Sequence, residues 1–200
     1  MMKTFLVLLF STVIMACSSP STKQPESPTV PAVKAEAVVI EAQPEADSLK
    51  GSLDAMATGK IGQAAFTIRY HSPAVRGRIV WGGLVPFDRV WVTGAHMATS
   101  VEFDRDISID GQRVPAGKYA FFTIPGKEKW TVILNSDWQQ HLTDEYDEKL
   151  DVVRVKIKPE RESTHQERLR YVIEADDDTK GEWVVYWEKL EISLPVTILQ

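Results

Sequence analysis

DVVRVKIK at residues 151–158 and ERLRYVIE at residues 167–174 are the stretches that decide the fold class of this chain. Apolar residues occupy every second position in their central parts, and charged residues fill most positions between them. The apolar positions are Val153, Val155 and Ile157 in the first stretch and Leu169, Tyr171 and Ile173 in the second. A repeat of two residues places alternate side chains on opposite faces of a β-strand, so both stretches are predicted to be strands with one buried face.

The same alternation recurs along the chain, with turn signals between the segments. The apolar side chains that share a face are Phe66, Ile68 and Tyr70; Val101 and Phe103; Tyr119 and Phe121; Trp130, Val132 and Leu134; Trp183, Val185 and Trp187; and Leu190, Ile192 and Leu194. Asp110-Gly111 predicts a hairpin, because both central residues of a type I′ turn need a positive φ. Only residues 136–151 read as a helix or a long loop. About nine or ten short strands without alternating helices indicate an all-β fold: a single antiparallel β-sandwich or jelly-roll-like domain over residues 53–200.

The N-terminus has the pattern of a lipoprotein signal peptide, predicted over residues 1–16. A charged start is followed by the 12-residue apolar run FLVLLFSTVIMA at 5–16, which is too short to span a bilayer and fits a secretory signal. Cys17, the only cysteine, follows directly, as in the lipobox of bacterial lipoproteins. Lipidation of Cys17 would then anchor the chain in a membrane. The alternative is an ordinary secreted protein with an unrelated cysteine.

Residues 17–52 are predicted to be a linker, because this proline-, alanine- and glutamate-rich segment has no aromatic residue and too little apolar surface to fold. No acidic run follows the cysteine, which favours the outer membrane of a bacterial envelope and leaves open which side the domain faces. Loss of residues 1–16, which contain one lysine and no acid, leaves 22 basic against 28 acidic residues. A mildly acidic chain lacks the excess of basic residues with which proteins bind the phosphates of nucleic acids.

The stretch VWGGLVPFDRVWVTGAH at residues 80–96 is the best candidate for a binding surface. Its two ends read as strands, with glycines and a proline between them. If the Trp91 side chain faced outward beside Arg89, its ring would form a flat apolar surface next to a charged group, on which a glycan or a partner protein could dock. Arg76 and Arg78 around Gly77 could hold a carboxylate or a phosphate. The alternatives are a buried, structural Trp91 and a solvated arginine loop.

Side chains for catalysis or metal binding are scattered along the chain. The four histidines, at positions 71, 96, 141 and 165, lack the spacing that places two ligands on one face. His71 and His96 could meet across neighbouring strands. There is no G-x-S-x-G motif for a serine hydrolase. No metal site and no cofactor is therefore predicted.

Three further groups each have a structural and a functional interpretation. Glu102, Asp104 and Asp106 could act as paired carboxylates, although alternation places them on a solvated face. Asp176 and Asp178 could bind calcium or form an acidic hairpin turn. The predicted insert at 136–151 carries Trp138, His141 and Tyr146, which would rim a pocket or pin the loop to the sandwich.

Three segments together resemble the bacterial "domain of unknown function 2911" family. They are YHSPAVRGRIVWGGLVPFDRVWVTGA at 70–95, DISIDGQRVPAGKYAFFTIPGKEKWTVILN at 106–135 and DVVRVKIKP at 151–159, and the likeness covers most of residues 61–196. The resemblance implies a β-rich extracytoplasmic domain and no known activity. The family pattern W-R-T-G-A-N-E-A-T reads WVTGAHMAT here, with Val92, His96 and Met97 as departures. A site formed by those polar residues in relatives would be altered in this chain.

The sequence thus predicts an envelope lipoprotein with a non-catalytic domain that binds an extracytoplasmic ligand, such as a glycan. The candidate contacts are Arg76, Arg78, Arg89, Trp91 and His96. One alternative is an envelope hydrolase that uses His96 and nearby acids. Another is a scaffold subunit of an outer-membrane complex with an envelope-protein partner.

Overall fold

A computed structural model describes residues 37–199, which form ten β-strands in two antiparallel sheets. The strands are β1 (Leu53–Ile61), β2 (Ala64–Ser72), β3 (Ser100–Phe103), β4 (Ile107–Ile109), β5 (Gln112–Val114), β6 (Gly117–Ile124), β7 (Trp130–Asn135), β8 (Asp151–Ile157), β9 (Glu160–Ala175) and β10 (Lys180–Ile198). One 3₁₀ turn, Glu148–Leu150, precedes β8. No helix within the described range has the length and apolar character to cross a bilayer.

The two sheets confirm the predicted all-β sandwich. The larger sheet has the order β1-β2-β3-β6-β7-β8, and the smaller has the order β5-β4-β10-β9. Side chains that alternate along each strand meet between the sheets, as where Trp183 of β10 packs edge-on against Phe66 of β2 with ring centroids 5.6 Å apart. Each large apolar side chain buried in this way contributes roughly 1.5–3 kcal/mol to folding.

The predicted Asp110-Gly111 hairpin is present between β4 and β5. The φ angles of the two residues are 49° and 76°, so both adopt the positive φ that a type I′ turn requires. Ile109 pairs with Gln112 directly across the turn.

The central strands β6 and β7 are covered on both faces. A second apolar cluster, formed by Val92, Ala98, Ala120, Phe122 and Ile133, lies on the outer face of the larger sheet. Residues 136–150 lie over it, and Tyr146 of this loop packs edge-on against Phe122 with centroids 5.3 Å apart. Burial on both faces explains why YAFFTI and WTVILN read as nearly continuous apolar runs.

Strand β10 reverses its direction near Glu188. The N–H of Ile198 donates to the carbonyl oxygen of Thr179 over 2.7 Å, whereas a straight strand would hold these residues about 60 Å apart. The Ser193 hydroxyl also donates to the Glu182 carboxylate. Glu188 has a φ of 58°, and the register with β9 shifts on both sides of it. The two arms of β10 therefore lie side by side and both contribute to the core.

The interpretation of residues 80–96 as a strand-turn-strand is wrong. Within residues 73–99 the backbone forms only isolated bridges, such as those of Trp81 with Val85 and of Trp91 with Thr123. Positive φ angles at Gly82 (79°), Asp88 (58°), Thr93 (49°) and His96 (59°) turn the chain repeatedly. Extended backbone needs a negative φ, so these residues end each short extended run.

The last part of the predicted linker, residues 37–51, packs against the domain. We call residues 37–51 the strap. Val38 forms a parallel bridge with Ala55 of β1, and Ile40 is buried. The Gln43 carbonyl oxygen accepts a hydrogen bond of 2.7 Å from the N–H of Glu167 in β9. The rest of the linker, from residue 17 to 36, and the predicted signal peptide lie outside the described residues.

A buried arginine holds the strap in place. The Arg168 side chain is 1% exposed, and its guanidinium donates to both carboxylate oxygens of Asp47. It also donates to the carbonyl oxygens of Leu49, at 2.9 Å, and of Gly51 and Ser72, at 3.2 Å each. The hydrogen bond from Arg168 holds the pKa of Asp47 well below its usual range.

Replacing Asp47 by alanine is expected to destabilise the fold by about 3 kcal/mol, because it leaves the charge of Arg168 buried without its counter-ion. Urea unfolding measures the change. Glu45→Ala is the matched control, since this carboxylate lies in the same strap but is exposed. Equal midpoints for the wild type and Asp47→Ala would contradict the role of the pair.

Candidate functional site

Four of the six tryptophans form one cluster at the end of the sandwich where β6 joins β7. In this tryptophan cluster the ring of Trp81 lies 4.8 Å from that of Trp130, 5.6 Å from that of Trp187 and 6.0 Å from that of Trp91. Trp91 stacks on Trp187 at 5.7 Å and an interplanar angle of 21°. The cluster joins residues 80–96 to β7 and β10 and forms a rigid apolar base.

A pocket of about 890 Å³ opens beside the tryptophan cluster. Its apolar lining comes from Trp81, Phe87, Trp130 and Leu190. Trp81, Phe87 and Leu190 are half-buried, so part of each side chain remains accessible. The pocket is thus an apolar recess at one end of the fold. We call it the end pocket.

Charged side chains of both signs surround the end pocket. The cations are Lys127, Lys129, Lys158 and Arg161, and the carboxylates are Glu128, Glu160 and Glu188. They come from the β6–β7 turn, the β8–β9 connection and the reversal of β10. In antiparallel sheets alternate connections lie at the same end of the strands, which brings these three segments together.

Two glycines allow the close approaches that shape this end. A Cβ atom on Gly82 would lie 2.8 Å from the Phe87 ring, and φ is 79° at this position. A Cβ atom on Gly126 would lie 2.2 Å from the carbonyl oxygen of Lys129. Both distances are shorter than van der Waals contact, so a side chain at either position would force the lining apart.

Trp91 forms part of the tryptophan cluster behind the end pocket. Its ring is not the outward-facing flat surface expected from the sequence. Its indole N–H donates to the carbonyl oxygen of Gly94 over 3.0 Å, and its ring packs within the tryptophan cluster. The simple alternation assumed for residues 89–93 fails because Val92 and Thr93 are both buried.

The three candidate arginines are exposed side chains of one loop. Arg76 donates to the carbonyl oxygens of Leu49 and Gly51, and Arg78 donates to those of Ala74 and Val75. Arg89 forms no hydrogen bond or ion pair with the described residues. No hydrogen bond, ion pair or ring contact within residues 37–199 joins any two of the five predicted contacts.

His96 has His71 as its neighbour. The two rings meet edge to face with centroids 5.1 Å apart. Burial lowers the pKa of His71, and Asp54 partly opposes this change. The His96 side chain has no carboxylate within hydrogen-bonding distance among residues 37–199, and nowhere in that range do three or more His, Cys, Asp or Glu side chains form a group fit for a metal ion.

The remaining candidate acids make local structural contacts. Asp104 accepts a hydrogen bond from the N–H of Ala65, Asp106 pairs with Arg113, and Glu102 lies 3.9 Å from Lys118. In the β9–β10 turn the Asp177 carboxylate accepts from the N–H groups of Thr179 and Lys180 and from the Thr179 hydroxyl. These contacts, with the hydrogen bond of 3.0 Å from the N–H of Asp176 to the carbonyl oxygen of Lys180, form an acidic hairpin turn.

The aromatic residues of 136–151 pin their loop to the sheet. Tyr146 packs on Phe122, donates to Asp151 over 2.7 Å and accepts from Arg154 over 3.0 Å. Lys118 lies 3.8 Å above the ring centre of Trp138. Neither aromatic residue lines the end pocket.

The stretch 91–99 is held by a buried polar network. Oγ1 of Thr93 lies 3.0 Å from Oγ1 of Thr123, and the Thr93 carbonyl oxygen accepts from Thr99 at 3.1 Å and from Tyr171 at 2.7 Å. A Cβ atom on Gly94 would lie 2.8 Å from Oγ1 of Thr99. These residues therefore fix the path of the chain.

Sequence reasoning missed most of the end pocket. Phe87, Trp130 and Leu190 are far apart in the chain, and only the strand order brings them together. The one available signal was the pair of charged turns, GKEK at 126–129 and KPER at 158–161, at the ends of neighbouring strands.

Together these features define a class: an antiparallel β-sandwich with an aromatic pocket at one end. Residues 52–196 match the family described as "Protein of unknown function (DUF2911)", and the chain belongs to that family. The match begins just after the strap and confirms the resemblance found in the sequence. Searches with this chain found no match among curated proteins and none among solved structures.

Val92, His96 and Met97, the positions at which the sequence resemblance was incomplete, fit their surroundings here. Val92 is 2% exposed within the second apolar cluster. His96 has a φ of 59°, a conformation in which asparagine, aspartate and histidine are the most frequent residues after glycine. Met97 is exposed on the surface.

Glu191 titrates near neutral pH on the outer face of the smaller sheet. It pairs in register with Glu160 and lies close to Glu162. Burial is the main cause, and the hydrogen bond with Glu162 and its negative charge come next; together they raise the pKa of Glu191 to about 7. The pKa of this carboxyl group is lower in the unfolded chain than in the folded one. The free energy of unfolding therefore falls as the pH rises from the lower pKa, and this loss of stability is complete above about pH 7.

The variant Glu191→Gln is therefore expected to gain melting temperature relative to the wild type as the pH is raised from 5 to 8. Scanning calorimetry at several pH values measures the difference. Glu145→Gln, at an exposed site in the 136–150 loop, is the control and should show no such trend. A difference between Glu191→Gln and the wild type that stays constant with pH would contradict the assignment.

Proposed function

We propose that this protein is a lipid-anchored envelope protein whose β-sandwich binds an extracytoplasmic glycan in the end pocket and does not catalyse a reaction on it. The observation that carries the binding proposal is the pocket itself, an apolar recess of about 890 Å³ with an aromatic base and an ionic rim. Ligand sites in proteins commonly have volumes of about 300–1,000 Å³ with a few polar groups around an apolar lining.

The lining matches the surface chemistry of a sugar. A pyranose ring has apolar C–H faces that pack on aromatic side chains such as Phe87 and Trp81. Its hydroxyl groups both donate and accept hydrogen bonds. The rim offers donors at Lys127, Lys129 and Arg161 and acceptors at Glu128 and Glu160, so it can serve both roles.

The neighbourhood of His96 favours binding over the hydrolase alternative. A general base in a hydrolase is normally oriented by a third group, most often a carboxylate. His96 is exposed and contacts only the ring of His71 among the described aromatic residues.

Substituting Phe87 by alanine is expected to weaken glycan binding about tenfold, since it removes one aromatic face of the pocket. The probes are chitotetraose and muropeptides from peptidoglycan, screened by thermal shift and then measured by calorimetry. A probe at about a hundred times its dissociation constant should raise the melting temperature by about 5–10 °C.

Trp138→Ala is the matched control, because Trp138 is also a half-buried aromatic residue but lies outside the pocket. It should bind like the wild type. The proposal is wrong if no probe shifts the melting temperature, or if both variants lose affinity equally.

The anchoring part of the proposal is supported by the apolar run at 5–16 followed by Cys17. Cys17→Ser is expected to abolish labelling by radioactive palmitate in growing bacteria and to move the protein from the membrane fraction to the soluble fraction. Ser18→Ala, which keeps the cysteine, should retain the label. Undiminished labelling of Cys17→Ser would contradict lipidation at this residue.

A further inference from the structure

Residues 76–89, which we call the basic loop, present two apolar side chains to solvent. Ile79 is 79% exposed, the largest fraction among the exposed large hydrophobic side chains of the described chain, and Leu84 is 43% exposed. The N–H of Leu84 donates to the Ile79 carbonyl oxygen over 3.0 Å, so the two residues are neighbours at the tip.

The tip of the basic loop, the turn that carries Ile79 and Leu84, is fixed to the core by backbone hydrogen bonds. The N–H of Val85 donates to the Val80 carbonyl oxygen over 2.9 Å, and both valines are 2% exposed in the main core. A Cβ atom on Gly83 would lie 2.4 Å from the Ile79 carbonyl oxygen, so the turn is tight. The exposed side chains therefore cannot fold back into the core, and no ordering is needed before they meet an apolar surface.

The charge of the basic loop is positive. It contains Arg76, Arg78 and Arg89, all exposed, against one acid, Asp88. Among the described residues none of the three arginines forms an ion pair with a carboxylate. Exposed apolar side chains on the same loop as arginines suit the interface of an anionic bilayer, where apolar groups enter the lipid and cations meet the phosphates.

The loop also lies beside the strap, through which the chain continues towards Cys17. The Arg76 guanidinium donates to the carbonyl oxygens of Leu49 and Gly51, and Leu49 is itself 52% exposed. The twenty residues from Cys17 to Glu36 can span at most about 70 Å, so an anchor at Cys17 would hold the strap, and the loop beside it, within roughly that distance of the membrane.

We propose that the basic loop is a membrane-contacting surface. Ile79 and Leu84 enter the interface of an anionic phospholipid bilayer, and Arg76, Arg78 and Arg89 lie against the lipid phosphates. The proposal stands on the geometry and charge of the loop and does not require that the end pocket binds a glycan.

The test places an environment-sensitive fluorophore on the full chain at Ile79→Cys, in a Cys17→Ser background so that this is the only thiol. The protein is mixed with vesicles of equal parts phosphatidylglycerol and phosphatidylcholine. We expect a blue shift and quenching by lipids with a nitroxide in the acyl chain. The same label at Leu142→Cys, a control site of 39% exposure, should show neither effect.

Charge is tested with Arg89→Gln in the labelled chain, because the Arg89 side chain holds no described contact that shapes the loop. Quenching at Ile79→Cys should then need about fivefold more anionic lipid, whereas Arg105→Gln, an exposed arginine outside the loop, should change nothing.

Equal signals from the two labelled sites would overturn the proposal. So would a blue shift that appears without vesicles and grows with protein concentration, since a second copy of the chain would then cover the tip. The near-ultraviolet circular dichroism of each variant shows that the fold is unchanged.

Discussion

The packing of four indole rings against one another is the contact on which this end of the molecule depends. Residues 73–99 lie outside both sheets and have no ladder of hydrogen bonds to hold them. Trp81 and Trp91 instead insert against Trp130 of β7 and Trp187 of β10. Loss of one ring would loosen the strained turns around Trp81 and Asp88, which persist only while the surroundings determine them, whereas residues 91–99 would keep their buried polar network.

The same packing explains why the two proposed interactions lie at one end of the fold. Trp81 contributes to the tryptophan cluster and to the lining of the end pocket, and it follows directly after Val80 beneath the tip of the basic loop. The basic loop thus has a fixed position relative to the pocket. A rigid loop on a sheet scaffold is a common way to carry a binding surface.

Local alternation predicted the strands well, because the side-chain repeat of a strand depends only on neighbours in sequence. It failed at residues 80–96, where RIVW and RVWVT alternate but tertiary contacts impose positive φ angles at Asp88, Thr93 and His96. The reversal of β10 was also beyond sequence reasoning, since Glu188 is not a turn residue by type. The end pocket depends on the strand order, which no local pattern encodes.

The strap has a consequence for how copies of this protein behave beside one another. β1 and β9 are edge strands of their sheets, and an unpaired edge is a template for adding a strand from another chain. Here Val38 pairs with part of the β1 edge, and the Gln43 carbonyl oxygen accepts a hydrogen bond from a backbone N–H group of β9. The Asp47–Arg168 ion pair helps to hold the strap in this position, and residues 73–75 also bond to β9 beside it. The chain's own strap thereby covers parts of two strand edges that a second copy of the protein could otherwise extend.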